Sequence, residues 1–363
     1  MIKKPLAILM SAAISLAALT GACSAGGSPA QNPAGAGSET PPAAAVAAPP
    51  AASAAQPPDS TDAAARTVYP LTIDNYDADG GAFVQVFPKA PERVVATTQA
   101  NIEIMLKLGL GDRLVGVANI ISDFPADLQA EAASLNEISK QWPPMEVVLG
   151  VSPDFVMGRA FDFNEGEYGL GTVRSYSDMG INTFIWASSS ITGDPTMEDI
   201  ISDIRVIGQI FDAQARANAF ADELQARLDQ VKASLPAQAG EKKALMITDF
   251  DGSTYGQYGA KAKLQNDLLA KLGYVNATEQ AGNSLGLETM VAISPDIIIY
   301  IEYDGSALEP QEAINSLLAQ DALRGVPAIA NNAVYRVPFN NIMGHGYCTI
   351  EGLTQLAEQI YPN

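Results

Sequence analysis

The chain has 363 residues and a single histidine, His345, which lies in Asn340-Asn-Ile-Met343-Gly-His345-Gly-Tyr347. An imidazole between two glycines can reach an open coordination position on a metal that arrives already chelated, with Met343 or Tyr347 as a second ligand. The same residue also serves as an ordinary loop histidine. One histidine does not suit the capture of bare zinc or manganese, whose sites want several histidines or a tight carboxylate set. Gly282-Asn-Ser284-Leu-Gly286 has nucleophile-elbow spacing, with Asp296 and His345 following in hydrolase order. An elbow needs a buried strand directly before it, whereas Val275-Asn-Ala-Thr-Glu-Gln-Ala281 reads as a polar connection, so an anchored serine hydrolase is the weaker expectation. Neither a Walker loop nor a dinucleotide glycine fingerprint is present.

Two glutamates recur in a repeated phrase. Glu146-Val-Val-Leu-Gly-Val-Ser-Pro153-Asp154-Phe-Val-Met-Gly158 returns as Glu288-Thr-Met-Val-Ala-Ile-Ser-Pro295-Asp296-Ile-Ile-Ile-Tyr300, with glutamate, proline and aspartate at identical spacing. Each glutamate opens a short helix, Ser-Pro ends it, and a buried strand follows. Upstream, the Arg93-Val-Val-Ala-Thr strand leads to a helix ending Lys107-Leu-Gly109. The Lys243-Ala-Leu-Met-Ile-Thr strand leads likewise to one ending Lys271-Leu-Gly273. The repetition predicts two homologous α/β lobes, each a parallel sheet with helical crossovers.

The elements that position these residues divide the chain further. Tyr69 to Phe87 alternates around Asp-Gly-Gly, a hairpin signal. Strands are expected at Arg93, Leu114, Phe155 and Asn182, completing a first lobe over 67–195. Apolar residues at 200, 201, 204 and 207, then at 217, 220, 224, 228, 231 and 235, predict two helices over a 196–236 linker. The second runs from Ala213 to Leu235, about 34 Å at 1.5 Å per residue, as a stiff strut. The second lobe, 237–363, repeats the plan: strands at Lys243, Asp296 and Ala333, helices over Lys261–Gly273 and Pro310–Gln320, and a closing helix over Thr349–Ile360.

Residues 1–22 have a secretion leader's form: Lys3 and Lys4, an apolar stretch from Leu6 to Leu19, then Thr20-Gly21-Ala22-Cys23. Small residues before Cys23 resemble a lipobox, so Cys23 is expected to carry acyl chains that anchor the protein outside the cytoplasm at the bacterial membrane. Cys348 then has no partner for an intrachain disulfide. Residues 23–66, rich in Ala and Pro, read as a disordered tether reaching roughly 35 to 40 Å over its ~43 residues. The net charge is −20, and more negative once Lys3 and Lys4 are removed, which makes nucleic acid and anionic membrane surfaces poor partners.

Pro91-Glu-Arg-Val-Val, Leu108-Gly-Leu-Gly-Asp-Arg-Leu-Val-Gly116, both Glu-x6-Pro-Asp phrases and Gly352-Leu-x2-Leu-Ala together resemble the substrate-binding lipoproteins of ABC importers for iron complexes and cobalamin. The resemblance covers residues 69 to 363. It implies two Rossmann-like lobes joined by one long helix, the helical-backbone periplasmic-binding-protein fold, with no enzymatic activity and no intrinsic cofactor. It further implies a monomer that holds a ferric siderophore, haem or corrinoid between its lobes. Glu146 and Glu288 would then dock into arginines of a permease dimer that carries a cytoplasmic ATPase. Helix-terminal carboxylates in matched places suit that role, although each also complements its helix dipole.

Ligands of parallel sheets sit beyond the carboxyl ends of the strands. Those loops nominate Thr98, Asn101, Trp142, Arg159 and Trp186 in the first lobe. In the second they nominate Tyr255, Tyr258, Tyr303, Asn341, Met343, His345 and Tyr347. Aromatic walls suit a bulky chelate, and Arg159 either meets an anionic ligand group or lies at the surface.

Overall fold

The computed structural model describes residues 66–166, 169–236, 242–303 and 305–362. The leader, Cys23 and all of the tether but Arg66 lie outside the described residues. Among the described residues no helix is long and apolar enough to cross a membrane.

The chain opens with the antiparallel hairpin β1 (Leu71–Tyr76) and β2 (Ala82–Phe87). A five-stranded sheet follows from β3 (Val94–Ala96), β4 (Leu114–Ala118), β5 (Glu137–Ser139), β6 (Phe155–Gly158) and β7 (Asn182–Ile185). Its order is β5-β4-β3-β6-β7 and every pairing is parallel. The alternation predicts four of these strands; β5 is a short rim strand, half-buried throughout, with no apolar run to betray it.

The second sheet comprises β8 (Lys242–Thr248), β9 (Thr254–Tyr258), β10 (Tyr274–Asn276), β11 (Gly282–Gly286), β12 (Ile297–Glu302) and β13 (Val334–Pro338). Its order is β11-β9-β8-β12-β13, with β10 also pairing β8. Here the lobes differ. β8 pairs in parallel with β10 over its first half and antiparallel with β9 over its second, and β11 adds antiparallel to β9. The expected polar connection before Ser284 is thus corrected. Its beginning is strand β10, and the Ser284 segment itself is an edge strand with a register shift between Gly282 and Leu285.

The repeated phrase has the same structure twice. Its helices are Met145–Gly150 and Leu287–Ile293, each with its glutamate exposed in the first turn and its second residue after the glutamate, Val148 or Met290, fully buried. Proline disfavours the right-handed helical region for its predecessor, and Ser152 and Ser294 sit in the left-handed region at φ 50° and 52°. The aspartates then act alike. Asp154 Oδ1 accepts the Arg93 N–H at 2.8 Å and Oδ2 accepts the Glu92 N–H at 3.0 Å, while Asp296 Oδ2 accepts the Lys243 N–H at 2.7 Å. Each carboxylate thereby ties the start of one strand to the start of its neighbour. The Lys-Leu-Gly helix ends also match, with Gly109 and Gly273 at φ 62° and 80° as left-handed caps.

Between the sheets in sequence run the helices Met197–Ile210 and Gln214–Ser234. The second is no free-standing strut. Ala217, Ala221, Leu224, Leu228 and Val231 are buried in one core with the Met197–Ile210 helix, the closing helix Tyr347–Ile360 and the inner residues of both sheets.

The hairpin joins the first sheet through side chains. Asn75 Oδ1 accepts the Ile185 N–H at 2.9 Å while its Nδ2 donates to the Ile185 carbonyl at 3.1 Å. Gln85 makes the same pair with Thr183, both bonds at 2.6 Å. Two buried amides therefore occupy the outer side of β7.

The paired aspartates give a direct test. Removing an ionic acceptor of backbone N–H groups costs roughly 1.5 kcal/mol at a solvent-facing site. Asp154→Ala and Asp296→Ala are each expected to lower the urea midpoint by that equivalent with an unchanged m-value; a midpoint equal to wild type would deny them this role.

Candidate functional site

Loops from both lobes enclose a cavity of about 600 Å³. Phe161 and Ser189–Ile191 line it from the first lobe, Tyr258, Gly259, Lys261–Gln265, Met343 and His345 from the second, with Pro195 between. A second hollow of about 460 Å³ shares Phe161 and Ile191 but is walled by the first lobe and its hairpin alone. The cavity between the lobes is therefore the candidate site.

His345 is its most constrained polar group. Nδ1 lies 3.0 Å from the Ser188 carbonyl, and Ser188 Oγ donates back to the His345 carbonyl at 2.8 Å. The backbone at His345 is left-handed, φ 60°. Burial, followed by the nearby charge of Arg159, pulls the imidazole pKa down to about 4, so the ring is neutral at physiological pH. The neighbouring glycines are not there to expose it, as the sequence suggests. A Cβ on Gly346 would stand 2.6 Å from Ala100 Cβ, so that glycine lets the loop press against the helix Gln99–Lys107.

Arg159 is buried and held by Asp162, with Nε–Oδ2 and Nη2–Oδ1 both 3.2 Å. Its guanidinium carbon lies 4.2 Å from the Phe161 ring centroid and 5.9 Å from that of Trp142, and Phe161 meets the His345 ring edge-on. Because its charge is already answered by Asp162, Arg159 stiffens the aromatic wall instead of offering a free cation. The free cation is Lys261, exposed and without an ion pair among the described residues. Lys263 donates to the Gly193 carbonyl across the cavity at 2.6 Å.

Of the residues nominated by sequence, Tyr258, Met343 and His345 meet at the cavity, with Trp142 behind Arg159. Tyr303 is partly exposed and packs edge-on against Phe339; its proximity helps burial and Asp249 push the Tyr258 hydroxyl up to about 12. The rest do not line this cavity. Asn101 Oδ1 accepts the Trp186 indole N–H and both are buried, because an amide is what a buried indole N–H requires. Thr98 is the buried residue preceding that helix. Tyr255 belongs to the second lobe's own core, Tyr347 is buried edge-on against Phe220, and Asn341 sits in the short helix Asn340–Met343, its carbonyl against Gly352. Ser189 and Ser190 lie in the loop after the Asn182 strand, where a ligand is expected, whereas Lys261, Lys263 and Ile191 carry no such signal, since only β9 and β11 turn the Lys261 segment toward the cavity.

No three His, Cys, Asp or Glu groups converge as a metal site among the described residues. The hydrolase arrangement is not assembled either. Ser284 is exposed on the outermost strand, Asp296 is bonded to Lys243, and the His345 Nδ1 is bonded to Ser188.

The sequence profile of the Periplasmic binding protein family matches residues 94–340. YvrC of Bacillus subtilis, described as an uncharacterised ABC transporter substrate-binding lipoprotein, is 24% identical over 300 residues, covering 82% of this chain and 87% of that protein. The petrobactin-binding protein YclQ of the same organism is 24% identical over 286 residues, covering 75% and 82%. The crystal structure of a periplasmic binding protein from Veillonella parvula superposes with a TM-score of 0.69 at 26% identity, covering 82% of this chain and 94% of that one.

Where the lobes meet, Glu103 of the Gln99–Lys107 helix is fully buried. It accepts from Gln99 at 2.9 Å, Asn340 at 3.2 Å and the Cys348 thiol at 2.9 Å. Three donors favour the carboxylate, but burial outweighs them and raises the pKa above its ordinary 4.5. A carboxyl that binds its proton more tightly when folded contributes stability that is complete below the unfolded pKa and is lost as pH rises toward the folded one. Glu103→Gln mimics the protonated form. Calorimetric melts from pH 4.5 to neutrality are expected to fall less for the variant than for wild type, and equal slopes would refute the assignment.

Proposed function

The chain belongs to the Periplasmic binding protein family, and from that premise we propose that it captures a ferric siderophore between its lobes and delivers it to an ABC importer. The family binds solutes and is not enzymatic, so the protein's work is capture and release. The observation that carries the ligand class is the cavity wall. Phe161, Tyr258 and Met343 offer broad apolar contact, His345 offers a neutral imidazole, and Lys261 stands free at the rim for an anionic group. The relative named for petrobactin binding supports the same reading. A second reading, haem or a corrinoid, is favoured by His345 alone, because such ligands keep a coordination position open to an imidazole.

In this reading residues 67–195 and 237–363 act as lobes about the 196–236 helices, and a leader over 1–22 is removed. Acylated Cys23 then anchors the 23–66 tether at the outer face of the bacterial cell membrane. Glu146 and Glu288, exposed at matched helix starts, dock one lobe each onto the permease dimer. Their matched positions, one on each lobe, support docking onto a paired surface.

Native mass spectrometry of the protein recovered from its own cells identifies the ligand, and a metal-free ligand would sink the proposal. Glu146→Lys with Glu288→Lys is expected to abolish uptake while solution affinity stays at the wild-type value; weakened affinity would instead put these residues in the site. His345→Ala is expected to weaken the native complex by about 1.5 to 3 kcal/mol, roughly ten- to a hundred-fold in Kd. It changes the visible spectrum only if the metal is coordinatively open. Cys23→Ser is expected to release the protein or leave its leader uncleaved, whereas membrane retention of the processed variant would contradict the anchor.

A further inference from the structure

Behind the cavity wall, a buried carboxyl group lies two contacts away from the His345 ring. Asp203 belongs to the Met197–Ile210 helix and is buried. Its Oδ2 accepts the Ala187 N–H at 2.7 Å. Ala187 opens the 3-10 turn Ala187–Ser189 that follows β7. With its first N–H held, the turn presents the Ser188 carbonyl to His345 Nδ1 at 3.0 Å and the Ser188 hydroxyl to the His345 carbonyl at 2.8 Å.

A backbone carbonyl can only accept, so the hydrogen of the neutral ring is at Nδ1 and the lone pair at Nε2. Nε2 makes no hydrogen bond among the described residues, and His345 lines the cavity. The left-handed backbone at His345, costly for a residue other than glycine, is held from the other side by the Ser188 hydroxyl.

We propose that Asp203 is a positioning residue: through the Ala187–Ser189 turn it fixes His345 as the Nδ1–H tautomer and aims an unprotonated Nε2 into the cavity. The site then selects a ligand that offers an open metal position or a hydrogen-bond donor at that point, and rejects one that offers an acceptor, which would face a lone pair. The selectivity rests on the cavity being the ligand site; the relay does not.

Because His345 is the only histidine, incorporation of 15N-histidine into the full chain yields one imidazole spin system. A long-range 1H–15N spectrum of the ligand-free protein at neutral pH reads the tautomer without presupposing what occupies the cavity. The expected pattern is a protonated, pyrrole-like Nδ1 and an unprotonated, pyridine-like Nε2. The opposite assignment in wild type overturns the proposal. Asp203→Leu keeps the size but offers the Ala187 N–H no acceptor; its Nε2 resonance is expected to move toward the average of the two ring positions. Should that variant not fold, as judged by circular dichroism, Ser188→Ala carries the same test by releasing the His345 backbone, with the same averaging expected. An unchanged Nδ1–H spectrum in a folded variant of either kind overturns the relay, whereas loss of the fixed tautomer supports it.

Discussion

The carboxylates of Asp154 and Asp296 hold together the starts of neighbouring strands, and the rest of the architecture depends on that tie. In a parallel sheet nothing local joins adjacent strands, because the chain crosses over a helix between them. Asp154 supplies the local joint between β3 and β6, and Asp296 between β8 and β12. Fixed at their beginnings, the strands end together, and the loops after them converge on one side. Phe161 after β6, the Ser188 turn after β7 and the His345 loop after β13 share a cavity for this reason.

Around this repeated frame the lobes diverge. The first stays wholly parallel, whereas the second spends one side of β8 on the antiparallel pair β9 and β11, which brings Tyr258 to the cavity. What joins the lobes is a packed body. The two linking helices, the closing helix and the inner residues of both sheets share one core, and Glu103 crosses the junction to Asn340 and Cys348. Wide opening would break that packing, so the lobes are restricted to small displacements, as packed helices permit.

Much of this was legible in the sequence because it was written twice. Glu-x6-Pro-Asp and Lys-Leu-Gly each encode a stop, a turn and a start within a few residues, and local chemistry decides all three. Of the cavity lining, Tyr258, Met343 and His345 were legible from their places at or beyond strand ends. Asn101 and Trp186 have the composition of a ligand wall, yet they bond to one another in the core. Tyr255 and Tyr347 likewise follow or flank the right loops but point inward. The strands β9 and β11 carry glycine and polar residues in place of an apolar run, and their pairing depends on partners distant in the chain. Arg159 looks unpaired in sequence until its own next turn folds Asp162 back onto it.

The amides of Asn75 and Gln85 have a consequence for life among other copies of the same molecule. A bare outermost strand is an invitation to polymerise, since any extended segment can continue its ladder and fibres grow by repeating that step. Had β1 or β2 paired with β7 as a further strand, the invitation would merely have moved outward by one. An amide side chain accepts and donates like a backbone unit but ends there. At β7 the sheet has been given a terminator.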